Sequence, residues 1–136
     1  MSLEVKIDKK KDSAYVIYLD GSLDSETYTD CEKQIAQVLQ EKPRAFIFDL
    51  NNLSYISSAG LSVVFRTKKE IEKNNASFSI VNVQPNIKKV FDAVKVISED
   101  LFATMDGTDE QLDRYIDHVI KKLKPENTQD NPPPQE

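Results

Sequence analysis

The chain has 136 residues, 30% of them charged, and a formal net charge of −5 at pH 7. This length suits one domain with a substantial core, and the acidic balance without a basic run argues against a nucleic-acid partner. No apolar run approaches the roughly 20 residues of a membrane span, and the N-terminal MSLEVKIDKKK lacks the apolar centre of a signal peptide. The single cysteine cannot form an internal disulfide, so we expect a cytoplasmic protein without membrane association.

The N-terminal segment predicts two strands. Residues 3–7 alternate apolar and polar, as a half-buried strand does. Residues 14–19 are rich in aromatic and β-branched side chains, and Gly21 is expected to end this second strand. Asp24 or Ser25 can then cap a helix, since both side chains accept backbone N–H groups.

One face of that first helix is apolar at helical spacing. Its members are Tyr28, Cys31, Ile35, Val38 and Leu39. On this face Cys31 is interpreted as a small core residue rather than a reactive thiol. Pro43 ends the helix, and the nearly continuous apolar run over 45–50 predicts a central strand buried on both faces.

The stretch YISSAGL, residues 55–61, leads into a second helix that begins near Ala59. Leu61, Val64, Phe65 and Ile71 are expected to face inward. Ser57 or Ser58 can cap this helix, and Gly60 permits a close backbone approach.

The second half predicts two more strands and two more helices. Residues 78–83 form a fourth strand, Pro85 opens a short helix, and residues 101–105 suit an edge strand. Thr108 and Gln111 match a capping box before a strongly amphipathic last helix.

The order of elements predicts an α/β domain, with a mixed sheet of four or five strands flanked by about four helices. Asp106 and Gly107 are expected to form a turn before the last helix. The domain is expected to span residues 1–124, and the Pro-rich tail 125–136 has no apolar anchor and is expected to be disordered.

Catalytic and cofactor motifs are absent from the sequence. His118 is the only histidine and lies in a helical pattern, so it is interpreted as a solvated or half-buried helix residue. Three glycines cannot build a phosphate-cradling loop, and no zinc-ligand spacing occurs. Asp20, Asp24 and Asp49 are interpreted as caps and turn residues at one end of the sheet. We therefore expect no enzymatic activity, no metal and no cofactor.

The serine pair of YISSAGL admits a structural and a functional interpretation. As a cap, a serine needs only to accept a backbone N–H. A serine at a helix N-terminus also lies beside unpaired N–H groups and the positive end of the helix dipole. A phosphate there adds about −1.5 to −2 charges, and the fold tolerates it. Phosphorylation then changes what can bind to the surface while the domain stays folded, as in a binding switch.

Three stretches resemble the STAS domain of bacterial anti-sigma factor antagonists. The run DLNNLSYISSAGLSVV (49–64) is similar to the family's strand, apolar loop and Ser-Ser/Ala/Thr-Gly-Leu turn. YLDGSLDSET (18–27) resembles its earlier Gly-x-Leu-Asp turn, and NVQPNIKKVFDAVKV (82–96) its Pro-containing third helix. The similarity covers about residues 3–123.

This resemblance implies a non-enzymatic protein that binds, when dephosphorylated, an anti-sigma factor serine kinase with a histidine-kinase-like ATPase fold. The kinase phosphorylates one serine with ATP, the complex dissociates, and a PP2C-type phosphatase removes the phosphate. The family's phosphorylated serine, two residues before the glycine, falls on Ser58. The implied partner surface comprises Asp24, Ser57, Ser58, Ala59, Gly60 and Leu61.

One position departs from the best-known members of the family. The residue before the phosphorylated serine is usually aspartate there and is Ser57 here. This change removes a negative charge and leaves Ser57 as an alternative phosphorylation site. The competing hypothesis is a structural STAS module of a larger signalling or lipid-transport complex, in which the turn only caps a helix. By resemblance the protein is expected to be a monomer or weak dimer.

Overall fold

The computed structural model describes residues 2–95, 97–105 and 108–123. The strands are β1 (Leu3–Lys10), β2 (Ala14–Leu23), β3 (Ala45–Asp49), β4 (Leu53–Ile56), β5 (Ser77–Val81) and β6 (Phe102–Ala103). The helices are α1 (Tyr28–Gln40), α2 (Ser58–Lys73), α3 (Pro85–Val94) and α4 (Asp109–Lys122). Short 3-10 turns occupy Lys11–Ser13 and Glu99–Leu101.

The strands form one mixed sheet in the order β1-β2-β3-β5-β6. β1 is antiparallel to β2, whereas β3, β5 and β6 continue the sheet in parallel. β4 pairs in parallel with the last residues of β2, beyond the segment of β2 that pairs with β3. The carboxyl ends of β2 and β4 therefore lie side by side at one edge of the sheet.

Helices α1, α2 and α3 cover one face of the sheet. Because side chains alternate along a strand, Phe46 and Phe48 of β3 point into this main core together with Phe78 of β5. The Phe46 and Phe48 rings meet edge to face with 5.0 Å between centroids. The helices contribute Cys31, Ile35, Val38, Val63, Val64, Ile71, Ile87 and Phe91.

Of the described helices, only α4 covers the other face. The sheet presents smaller side chains there, and α4 adds three buried residues; this second cluster is Ala14, Val16, Ala45, Ile47, Val81, Leu112, Ile116 and Val119. Tyr115 of α4 is hydrogen-bonded to the buried Ser79 of β5, with 2.7 Å between Oη and Oγ. Burial raises the pKa of the Tyr115 phenol above its ordinary value.

The predicted fold class is confirmed, including a central β3 buried on both faces. The sheet has six strands because the apolar residues after the 51–52 turn form the unpredicted β4. The prediction that Gly21 ends β2 was wrong. Instead the ladder shifts between Gly21 and Ser22, a bulge in which Gly21 takes a φ of +119°, and the strand continues to Leu23.

The helices differ from the predictions in detail. On α2, Leu61 and Phe65 are only half-buried, whereas Val63 and Thr67 are buried beside the correctly predicted Val64 and Ile71. Phe65 is packed under the Lys69 ammonium, 5.5 Å from the ring centroid, which suits a side chain at the edge of the core.

Two predictions fall outside the described residues, the turn at Asp106 and Gly107 and the tail from Pro125. Among the residues that are described, every helix is too short or too polar to span a bilayer.

Candidate functional site

The candidate site lies where β2 and β4 end beside each other. Leu23 and Ile56 are the last residues of these strands and are register partners. Asp24 and Ser57 are the next residue in each chain segment, and the Ser57 N–H donates to the Leu23 carbonyl at 3.0 Å. The parallel pairing therefore brings the loop after β2 against the start of α2.

Ser57, not Ser58, caps α2. Its backbone is extended, with φ −99° and ψ 179°, and its Oγ accepts the Gly60 N–H at 3.3 Å. Its carbonyl accepts the Leu61 N–H at 2.8 Å. Ser57 is half-buried, so the first of the two serines has a structural role in the turn.

Ser58 is the first residue of α2, and it is exposed. Within the described part of the chain, the N–H groups of Ser58 and Ala59 have no acceptor. The first turn of α2 contains no acidic residue, so the positive end of the helix is not neutralised within that turn. The Ser58 hydroxyl thus faces solvent next to unpaired donors.

Gly60 allows α2 to start against the end of β2. A Cβ at this position would lie 2.5 Å from the Leu23 carbonyl oxygen and 2.8 Å from Cγ1 of Ile56. Both separations are far below van der Waals contact, so only glycine fits this approach. Ala59 and Leu61 on either side are half-buried.

Asp24 organises its own loop. It is only 8% exposed, and its Oδ1 accepts the N–H groups of Glu26 at 2.9 Å and Thr27 at 3.2 Å. The Thr27 hydroxyl donates to the Ser22 carbonyl at 2.8 Å and accepts the Asp24 N–H at 3.0 Å. These hydrogen bonds shape the turn that precedes α1. The helix begins at Tyr28, with Thr27 at the N-cap position, and not directly after Asp24 or Ser25 as predicted.

Three other residues were considered from the sequence, and each has a structural or a surface position. Cys31 is fully buried, and burial raises the pKa of its thiol to about 12, which keeps it protonated and inert. Asp49 accepts the Asn51 N–H at 3.0 Å and closes a turn, and His118 is exposed on α4. Among residues 2–95, 97–105 and 108–123, no three potential ligands lie close enough to hold a metal ion.

The exposure of Tyr55 was not predicted from the sequence, where it entered only as the first residue of YISSAGL. It is 48% exposed, two residues before the cap of α2. The residue type could have indicated this exposure, because tyrosine combines a hydroxyl group that tolerates solvent with a large apolar ring.

The sequence model of the STAS domain matches residues 6–111 of the chain. The anti-sigma-B factor antagonist of Staphylococcus aureus is 27% identical over 99 residues, which are 73% of this chain and 90% of that protein.

Solved structures share the fold. The unphosphorylated form of the anti-sigma factor antagonist SpoIIAA superposes with a TM-score of 0.72 at 19% identity, covering 85% of this chain and 98% of SpoIIAA. The phosphorylated form of this Bacillus cell fate determinant gives 0.69 at 20% identity, covering 83% and 99%. The family match over residues 6–111 shows that the chain belongs to the STAS-domain family, in which these relatives are anti-sigma factor antagonists.

Proposed function

We propose that this protein is an anti-sigma factor antagonist controlled by phosphorylation of Ser58. Dephosphorylated, it binds a serine-kinase anti-sigma factor of the histidine-kinase-like ATPase class through Asp24 and Ser57 to Leu61. Phosphate on Ser58 releases the partner. The observation that carries this proposal is the exposed Ser58 hydroxyl at the first position of α2, while its neighbour Ser57 supplies the cap.

The division of roles between the serines favours Ser58 as the modified residue. The Ser57 Oγ is half-buried and accepts the Gly60 N–H, so a kinase would have to open the first turn of α2 to reach it. Ser58 can be reached without disturbing that bond. Ser57 remains the alternative acceptor.

The position of Ser58 also explains how the switch leaves the fold intact. A phosphate on the first helical residue lies near unpaired N–H groups and the positive helix end, where anions are stabilised by about 0.3–1 kcal/mol. On the surface it adds about −1.5 to −2 charges. A partner docked over Ser58 would have to accommodate and desolvate that charge, so the complex dissociates.

The proposed partners follow from the family. The kinase transfers the phosphate from ATP, and a PP2C-type phosphatase removes it. That SpoIIAA, which shares this fold, has been solved in both unphosphorylated and phosphorylated forms supports a reversible modification on the same scaffold.

The decisive experiment is a pull-down from lysate of the source organism with wild-type, Ser58→Ala and Ser58→Asp baits. A kinase-like ATPase should be retained by wild type and Ser58→Ala and lost with Ser58→Asp. Ser98→Asp is the matched control, because Ser98 is an exposed serine outside the site. Incubation of the purified pair with ATP should then place one phosphate on Ser58, as mapped by mass spectrometry. Equal recovery of the same proteins by all four baits would refute the switch.

A second candidate is a structural STAS module. Ser57 caps α2, and Gly60 allows α2 to start against the end of β2. These two structural roles favour this candidate, because they account for much of the SSAG sequence without any modification. Light scattering at low protein concentration separates the two. A stable high-order assembly supports the structural module, and a monomer or weak dimer supports the switch.

A further inference from the structure

Tyr55 is the most exposed large hydrophobic residue of the described chain. The side chain is 48% exposed, although Leu53 and Ile56 on the same short strand are 0% and 5% exposed. The first and last residues of β4 therefore pack in the core, whereas Tyr55 is exposed to solvent. Within the described residues the Tyr55 side chain makes no hydrogen bond and its ring pairs with no other ring or cation, so the fold gives no reason for its exposure.

The backbone that carries Tyr55 is held on both sides. Tyr55 is the register partner of Ser22 on β2. The preceding residue, Ser54, donates its hydroxyl to the Gly21 carbonyl at 2.9 Å, and its own carbonyl accepts the Asn86 side-chain amide of α3 at 3.2 Å. An aromatic side chain on a fixed backbone loses little conformational entropy when a partner covers it.

We propose that Tyr55 is the aromatic anchor by which the site binds its kinase-class partner, an inference that rests on the proposed function. Interface hot spots are enriched in tyrosine, because its ring buries a large apolar area while its hydroxyl finds a polar contact. The partner accordingly carries an apolar pocket for the ring beside the surface that covers Ser58.

The anchor also explains how one phosphate can control the whole contact. Ser58 is the third residue after Tyr55, so their Cα atoms are at most about 11 Å apart. A partner surface that covers both residues excludes water around Ser58. Burying a phosphate without a counter-charge is strongly unfavourable, so the ring supplies affinity and the serine decides whether the ring can be covered.

Ile7 offers a matched control. It is 36% exposed and lies on the edge strand β1, opposite Ile17 and far along β2 from Ser22. Lys6 and Asp8 flank it in the sequence and are charged, as is common on edge strands. Truncation of Ile7 removes exposed apolar surface without touching the candidate site.

The test uses the purified kinase-like ATPase that the wild-type bait retains and the Ser58→Asp bait loses. Calorimetric titration is done with a non-hydrolysable ATP analogue, so that no phosphate is transferred. Tyr55→Ala should weaken binding by about 30-fold or more, whereas Tyr55→Phe, which keeps the ring, and Ile7→Ala should remain within about fivefold of wild type. Melting temperatures verify that each variant is folded.

A second readout does not depend on truncation. The chain contains no tryptophan, so Tyr55→Trp labelled with 5-fluorotryptophan gives one ¹⁹F resonance, which should shift on partner binding while that of Ile7→Trp does not.

The possible failures are distinguishable. Three outcomes would overturn the anchor without contradicting the switch. They are a Tyr55→Ala variant that binds as tightly as Ile7→Ala, a loss of affinity in Tyr55→Phe equal to that in Tyr55→Ala, or a ¹⁹F resonance at position 55 that does not shift. The absence of any partner that distinguishes wild type from Ser58→Asp would overturn both.

Discussion

At the scale of single residues, Asp24 of the proposed binding surface has a structural role in its own loop. Its Oδ1 accepts two backbone N–H groups, and the residue is 8% exposed. An asparagine side chain can accept the same two bonds. We therefore expect Asp24→Asn to leave stability within about 0.5 kcal/mol of wild type and Asp24→Ala to lose about 1 kcal/mol, measured by denaturant unfolding.

Partner binding separates the two roles of Asp24. If the carboxylate acts by shaping the loop, Asp24→Asn keeps the partner and Asp24→Ala weakens it. Loss of binding by a fully stable Asp24→Asn would instead assign the negative charge itself to the contact, and Glu26→Gln, an exposed neighbour, is the matched loss of charge.

Gly60 is required by the packing of α2 against the end of β2. An added methyl at 2.5 Å from the Leu23 carbonyl cannot be accommodated without moving the helix. We expect Gly60→Ala to destabilise the fold by about 1–3 kcal/mol, the usual cost of overpacking, and to weaken partner binding. Ser58→Thr adds one methyl at an exposed position of the same turn and should be close to wild type in thermal melting. Equal melting temperatures for the two variants would contradict this packing argument.

At the scale of elements, the predictable parts were those with an apolar pattern of their own in the sequence. The α1 face and the amphipathic α4 were correctly located by their periodicity, and the central β3 by its nearly continuous apolar run. β4 has only four residues and no alternation, since Ser54 and Tyr55 are both exposed, so its pairing with β2 left no local signal.

The candidate site shows the same limit of sequence reasoning. Both serines of YISSAGL suit a cap, and the choice of Ser57 follows from the position at which β4 ends. That position is fixed by pairing with the distant β2. Likewise, Gly21 was expected to end β2 because a glycine commonly breaks a strand, whereas here it forms a bulge that the Asn52 carbonyl stabilises by accepting its N–H at 3.0 Å.

Helix α4 is linked to the sheet by a hydrogen bond between the half-buried Tyr115 and the buried Ser79 of β5. Tyr115→Phe leaves the buried Ser79 hydroxyl without this partner, and we expect it to destabilise the protein by about 1–2 kcal/mol. Because the two groups share one bond, Tyr115→Phe combined with Ser79→Ala should be more stable than the sum of the single changes, as a double-mutant cycle by denaturant unfolding would show. Additive effects would mean that the bond contributes nothing.

At the scale of the whole molecule, the STAS match and the folded domain do not end at the same residue. The match stops at residue 111, three residues into α4. The rest of α4 nevertheless closes the second core with Leu112, Ile116 and Val119. Burial of each such side chain contributes about 1.5–3 kcal/mol, so the loss of all three would be large compared with the roughly 5–15 kcal/mol net stability of a typical domain.

The predicted domain boundary at residue 124 can be tested by truncation. A chain ending at residue 124 should melt at the same temperature as the full chain, because PENTQDNPPPQE offers no apolar side chain to a core. A chain ending at residue 108 would expose Val16, Ile47 and Val81 on the open sheet face. We expect that shorter chain to aggregate or to bind the hydrophobic dye ANS, since such a contiguous apolar face is rare on soluble monomers. A stable, ANS-negative chain 1–108 would show that α4 is dispensable, and a large loss of stability in chain 1–124 would place part of the core in the tail.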